Sequence, residues 1–456
     1  MATIKLSVFD IFKIGPGPSS SHTIGPMRAG HDFLERLRKL PPETLARGAR
    51  VELRLWGSLS LTGKGHGSDR ALLAGLAGWL PDSVGSDTFA AIVADGVHSY
   101  DVEAGARRFA VNGDSIVFAD GPKKGSPHSN TITAALLDAA GEPLFEREYY
   151  SVGGGFIKIK GEKEPERPDP PHRYGKFDDI KNLLETNEAR SLLDLAMENE
   201  KALSGASEKD IVRGLKRIAE AMTSAVRRGV KAEGLLPGTI GLARKAPLLH
   251  RRAMSKQSGL DRILLLLNSY AMAAAEENAA GHIVVTAPTS GSAGVLPGIV
   301  HMLLHDYGVP LEKVCQGLMI AALVGGIVKT NASIAGAEVG CQGEIGTASS
   351  MGAALLAHVF DYGVHTVENA AEIALEHHLG MTCDPVGGYV QIPCIERNAM
   401  GAVKAYNAYL LASAGNPKSQ KVTMDEAVQA MWETGRHMSS RYKETAKGGL
   451  ALGVKC

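Results

Sequence analysis

Cys341, Cys383, Cys394 and Cys456, four of the five cysteines, fall late in this 456-residue chain. The first three stand in GAEVGCQGEIGTASSMGAA and HHLGMTCDPVGGYVQIPCIERNAMGA, among Gly, Pro and small polar residues. The fifth, Cys315, sits in VCQGLMIAALV, where a free thiol packs as a small hydrophobe. The three loop thiols read as displayed rather than packed. Thiolates carried on Gly/Pro turns can converge without side-chain crowding, as a metal or cluster site requires. No spacing is C-x-x-C, which argues against a zinc ribbon or a thioredoxin-type pair. Three thiolates suit zinc or an iron-sulfur cluster. A 4Fe-4S cluster usually takes four cysteines, so three leave one iron open as a Lewis acid for a hydroxyl or carboxylate. The plainer alternative is three ordinary buried thiols. Cys456, the end of KGGLALGVKC, reads either as a frayed terminus or as a tail thiol able to reach such an iron.

Other segments supply the parts of a small-molecule site. In TAPTSGSAGVLPGIV, hydroxyls and glycines follow a strand-like HIVV and precede a helical run, the layout of an anion-cradling loop. Thr289, Ser290, Gly291 and Ser292 are the candidates for holding a carboxylate, against the alternative of a tight turn with a helix cap. Thr347, Ser349 and Ser350 stand where the helix MGAALLAHVF is expected to begin, and a helix N-terminus favours an anion. Three histidines lie in polar, Gly-rich stretches: His22 in GPGPSSSHTIGP, His66 with Lys64 and Asp69 in GSLSLTGKGHGSDRA, and His128 with Asn130 in SPHSNT. Each alone is an ordinary turn residue; together they make a general base among them plausible.

The elements that must position these groups divide at one seam. KGEKEPERPDPPHRYGK, residues 160–176, is charged and Pro-rich without apolar periodicity and reads as an extended linker. Residues 1–159 mix strand-like runs (VELRLWGSL, IVFAD) with helical ones (MRAGHDFLERLRKL, SDRALLAGLAGWL), and ITAALLDAA with PLFEREYYSV predicts a hairpin around Gly141. Residues 177–456 carry the 3.6-residue period in run after run, so this domain is expected to be nearly all helix. The fold class is α+β: an N-terminal α/β domain joined by a Pro-rich linker to a nearly all-helical domain that carries the cysteines. With 44% hydrophobic and 21% charged residues the composition is that of a globular chain. A net charge of zero offers no bulk excess for phosphate contacts, so nucleic acid is not an expected partner. The apolar RILLLLNSYAMAAA is shorter than a membrane span, so no membrane is expected either. Five cysteines, with no stretch reading as a signal peptide, predict a reducing, cytoplasmic setting.

SVFDIFKIGPGPSSSHTIGPM, TGKGHGSDRA, TAPTSGSAGVLPG and the two cysteine-bearing stretches resemble the bacterial iron-sulfur L-serine dehydratase (L-serine ammonia-lyase) family in its single-chain form, over nearly the whole length. The resemblance implies a β domain fused to a helical catalytic α domain, a homodimer, and a 4Fe-4S cluster held by Cys341, Cys383 and Cys394. In members ending in Cys the tail thiolate caps the fourth iron when substrate is absent, a role matched here by Cys456. It also implies conversion of L-serine to pyruvate and ammonia, in amino-acid degradation and gluconeogenesis. His66, His22 or His128 is then the base for the Cα proton, with Thr289, Ser290, Gly291, Ser292, Asn130 and Thr347 around the substrate. Two rivals stay open. A pyridoxal-phosphate dehydratase would run the same overall reaction but leaves the cysteines unused, and no lysine stands in a convincing Schiff-base motif. A redox sensor would hold a cluster without turnover.

Overall fold

The computed structural model describes residues 3–163, 166–255 and 259–454. The chain forms two compact units: residues 14–165 with 280–283, and residues 1–13, 166–279 and 284–456.

The first unit is built on a five-stranded sheet. In chain order its strands are β2 (Arg50–Leu55), β5 (Ile116–Phe118), β6 (Thr131–Leu137), β7 (Pro143–Ser151) and β8 (Ile157–Ile159), arranged β5-β2-β6-β7-β8. The remaining strands of the chain are β1 (Lys13–Pro16), the hairpin β3 (Tyr100–Ala104) and β4 (Arg107–Val111), and β9 (Ile283–Thr286). The predicted hairpin is present as β6 and β7, with Thr131 opposite Tyr150 and Ala135 opposite Glu146. Every residue of β6 is buried, whereas β2 alternates between buried and exposed positions. Phe33, Leu34 and Leu37 of the helix Gly25–Leu37, and Leu72, Leu73 and Leu76 of the helix Ser68–Leu76, join Leu53, Leu55, Ile132 and Tyr149 in one core.

Those two helices cross at glycines. A Cβ on Gly75 would stand 2.1 Å from the Met27 carbonyl oxygen, and one on Gly30 would stand 2.6 Å from that of Leu72. Backbone cannot yield as a flexible side chain can. Gly75→Ala is therefore expected to destabilise this unit by about 2–3 kcal/mol, the upper part of the range for overpacking, and to lower its melting temperature by several degrees in a thermal scan.

The second unit is helical, as its period predicts. The helix Leu311–Asn331 is long and apolar enough to cross a membrane, yet 78% of its apolar window is buried within the protein, as befits a core helix. The apolar run from Arg262 lies in the helix Leu260–Ala279 and is likewise buried over most of its length. Cys315 is buried, as expected. The run from Phe177 is two helices, Phe177–Glu185 and Leu192–Ser204, separated by a turn in which Asn187 has φ 59°.

The stretch read as an extended linker carries no helix or strand over residues 166–176, and it is tied into the helical unit. The Ile4 amide donates to the Tyr174 carbonyl (2.9 Å), Arg167 pairs with Asp10, and Asn199 brackets His172 by accepting from its amide and donating to its carbonyl. Charged and Pro-rich composition describes the absence of a helix here, not the absence of partners. Residues 1–13 accordingly pack with the helical unit rather than with the strands that follow them.

Candidate active site

Three elements of the helical unit carry the thiols. Cys341 immediately precedes the helical turn Gln342–Gly346, which continues without a break into the helix Thr347–Val359. Cys383 lies in extended chain, its amide donating to the Tyr442 carbonyl (2.7 Å) and its carbonyl accepting from Thr445 (3.1 Å). Cys394 opens the helix Cys394–Ala414. The expectation that these thiols are displayed is corrected: Cys341, Cys383 and Cys394 are 3%, 5% and 8% exposed. Gly- and Pro-rich chain folds over them, because small residues let backbone approach the sulfurs closely. A Cβ on Gly336 would lie 3.1 Å from Cys383 Sγ and 3.0 Å from Glu344 Oε2.

Burial comes with convergence. The ligand atoms of Cys341, Glu344 and Cys383 lie within 4.8 Å of one another, a group able to hold a metal ion. Cys341 Sγ donates to Glu344 Oε2 (3.9 Å) and lies against Cys383. Arg397, one turn beyond Cys394, reaches Cys341 Sγ, faces Cys394, and donates to the Thr382 carbonyl (2.7 Å). Asp384, 3.4 Å from that guanidinium, is held below the usual carboxylate range, but the thiols and carboxyls buried nearby resist ionisation. The contact with Cys341 and then burial push the Cys383 thiol well up, while burial first and Cys341 second push up Cys394. Burial raises the Glu344 carboxyl, and burial together with the charge of Glu344 raises Glu444 to about 8. A bound cation reverses this logic by holding thiolates in their charged form. Soft sulfur donors in a buried, anion-dense pocket fit a thiolate-liganded metal or cluster.

The 289–292 loop is fastened to this group. Thr289 donates to Glu344 Oε1 (2.6 Å), and Ser292 closes the turn through the Ala287 carbonyl (3.0 Å). The Asn398 amide donates to the carbonyls of Gly291 (2.8 Å) and Cys394 (2.9 Å) and accepts from the Gly294 amide (2.8 Å), so one side chain locks the loop to the Cys394 turn. Ser290 Oγ and Thr347 Oγ1 are buried without a hydrogen-bond partner among the described residues, as groups awaiting a ligand would be. The expected free helix start at Thr347 is corrected, since helical backbone already begins beside Cys341, whose carbonyl accepts from Glu344 and Ile345. Ser349 and Ser350 donate to the carbonyls of Gly401 and Ala371 and serve helix packing.

Glu344, Arg397 and Asn398 were not singled out from the sequence. Their signal was spacing: Glu344 is three residues past Cys341, and Arg397 and Asn398 are three and four past Cys394, which places each on the cysteine's own helical face.

The strand-bearing unit brings His22 and His66 together, with ring centroids 4.9 Å apart. His22 is fully buried, its Nδ1 against Ser21 Oγ (2.8 Å) and its Nε2 against Ser58 Oγ (3.0 Å). It lies in the helical turn Ser20–Ile24 rather than in a loop. His66 Nδ1 faces the Thr62 carbonyl (3.0 Å), which assigns the proton of the neutral ring to Nδ1 and the lone pair to Nε2. Burial lowers His66 to about 4 and His22 well below its usual value. His128 has the opposite tautomer, since its Nδ1 accepts from the Asn130 amide (3.0 Å). Asn130 Nδ2 approaches the Ser151 carbonyl (3.5 Å), and its Oδ1 is buried without a partner among the described residues.

The C-terminal segment runs along the Cys383 loop, with the Leu450 amide donating to Asp384 Oδ2 (2.7 Å). Cys456, the fourth expected ligand, lies outside the described residues.

Comparison with known proteins accords with this architecture. Residues 7–162 match the serine dehydratase beta chain family, and residues 187–451 match the serine dehydratase alpha chain family. An L-serine dehydratase of Streptomyces coelicolor is 43% identical, the alignment covering 98% of this chain and 99% of the relative. L-serine dehydratase 2 of Escherichia coli K12 is 41% identical over 98% and 99% of the two chains. An L-serine dehydratase of Helicobacter pylori 26695 is 40% identical over 99% of each. With both family regions in one polypeptide and such identity over nearly its full length, this chain belongs to the single-chain bacterial L-serine dehydratases.

Proposed function

We propose that the protein is an L-serine ammonia-lyase converting L-serine to pyruvate and ammonia, with a 4Fe-4S cluster held by Cys341, Cys383 and Cys394. The observation carrying this reading is the convergence of Cys383 with Cys341 and Glu344 of one helical turn, with Arg397 beside Cys341 and Cys394. When bound, an iron without a protein ligand supplies Lewis acidity toward the substrate's hydroxyl and carboxylate, which offsets charge developing at Cα and makes hydroxide a better leaving group.

The chain's own groups do the rest. Ser290 and Thr347, with hydroxyls lacking partners among the described residues, orient the serine carboxylate by donating to it. Thr289 and Asn398 fix the 289–294 loop against the cysteines so that this orientation is preformed. His66 takes the Cα proton at Nε2, the nitrogen its contact with Thr62 leaves with a lone pair. His22, engaged at both ring nitrogens, positions His66, while Asn130 offers a buried acceptor for the substrate ammonium. Loss of hydroxide and the proton gives aminoacrylate, whose imine hydrolyses without further catalysis. Cys456 is proposed as a further thiol that would help hold the cluster when serine is absent. The working form is a cytoplasmic homodimer.

Anaerobic enzyme analysed for iron and sulfide alongside a serine-to-pyruvate assay tests the reading. About four irons and four sulfides per chain are expected, with turnover lost as the cluster is lost in air. A sharp aldimine absorption band with full activity after iron removal would replace it with the pyridoxal rival, and a full cluster without turnover with the redox sensor.

A further inference from the structure

A cavity of about 170 Å³ in the helical unit is lined by the apolar Leu242, Ala243, Met272, Ile392 and Ile395 and by the polar Glu276 and Gln391. Both polar residues are almost fully buried, at 1% and 3% exposure. Each is half engaged. Glu276 Oε1 accepts from the backbone amides of Lys245 (2.6 Å) and Ala246 (3.1 Å), while its Oε2 has no partner among the described residues. Gln391 Nε2 donates to the Pro237 carbonyl (2.6 Å), while its Oε1 likewise has none. The neighbouring Glu277 is paired with both Arg228 and Arg244, and Lys245 with Glu396, so neighbouring cations already have carboxylate partners.

Two buried acceptors left open on residues that line one mostly apolar cavity are costly unless a donor arrives. The missing complement is a group rich in N–H donors, carrying positive charge and attached to a small apolar body. We infer that this cavity binds the primary ammonium of a small aliphatic amine or amino acid, its head on Glu276 Oε2 and Gln391 Oε1 and its chain against Met272, Ile392 and Ile395. The amino-acid form has a second anchor, because Lys245 at the rim can exchange Glu396 for a ligand carboxylate. Burial holds the Glu276 carboxyl above its usual range, and an ammonium ligand would draw it back to the charged form. Pro393 and Ile395, on either side of Cys394, line the same cavity, so an occupant would touch the turn that presents that thiol.

Isothermal titration of the anaerobic, cluster-loaded protein with isoamylamine, L-leucine and isoamyl alcohol tests the inference. Saturable binding of isoamylamine or L-leucine at one site per chain is expected, and tighter L-leucine would identify the amino-acid form. Glu276→Gln is expected to weaken binding at least tenfold, and Ala243→Trp, placed at the exposed rim, to abolish it without altering the buried acceptors. If Glu276→Gln does not fold, Ala243→Trp and Gln391→Leu decide. No saturable binding by either ammonium compound would overturn the proposal, as would equal binding of isoamyl alcohol. Unchanged affinity in Glu276→Gln would also overturn it, pointing to a protonated Glu276 bonded within the protein.

Discussion

Replacing Cys341 with serine is expected to lower pyruvate formation from L-serine about a thousandfold and to strip most of the iron from anaerobically prepared protein. The size follows from what the thiol is asked to do. Metal assistance at a reacting oxygen contributes several kcal/mol, and each 1.36 kcal/mol is tenfold in rate. Cys341 also stands at the centre of the group, its Sγ within 4.8 Å of the ligand atoms of Glu344 and Cys383. Serine keeps the volume but loses the soft donor. Cys315→Ser is the matched control, since that thiol is buried in the apolar helix Leu311–Asn331 and is expected to leave iron and turnover unchanged. Equal iron loss in both variants would mean general instability rather than ligand loss.

His66→Ala is expected to lower kcat by about 10²–10⁴, the span usual for removing a general base, with iron content intact and KM little changed. His128→Ala should do far less, because the His128 lone pair at Nδ1 is already engaged by the Asn130 amide. The wild-type pH profile offers an independent check. Burial lowers His66 to about 4, and the ring facing it, His22, is likewise held neutral by burial. A base must be unprotonated, so the fraction competent falls only as pH drops through that lowered value. The acid limb of kcat/KM is therefore expected at about pH 4–5 instead of near the ordinary histidine value of 6.5. A limb at pH 6.5 that persists in His66→Ala would assign the base elsewhere.

Periodicity made the helical unit legible, because a strong 3.6-residue apolar stripe leaves little else for Glu208–Gly229 or Met424–His437 to be. The β6–β7 hairpin was legible through its turn at Gly141. The hairpin β3–β4 was not, since YDVEA and RRFAV bury only alternate residues and carry charge between them. The chemistry-bearing residue types were visible where types are rare, as with Cys341, Cys383 and Cys394. Their burial was not, because Gly- and Pro-rich composition marks chain that can bend but not whether it bends over a thiol. Glu344 and Arg397 were hidden for another reason. Charged residues are common, and only their helical register with a cysteine sets these two apart.

Mössbauer spectroscopy of ⁵⁷Fe-enriched enzyme, recorded anaerobically with and without L-serine, tests most directly that three fixed thiolates leave one iron for chemistry. The account predicts that about one iron in four changes its parameters on adding serine, toward higher coordination with oxygen donors, while the other three stay as they were. A spectrum unchanged by saturating serine in turnover-competent enzyme would contradict it.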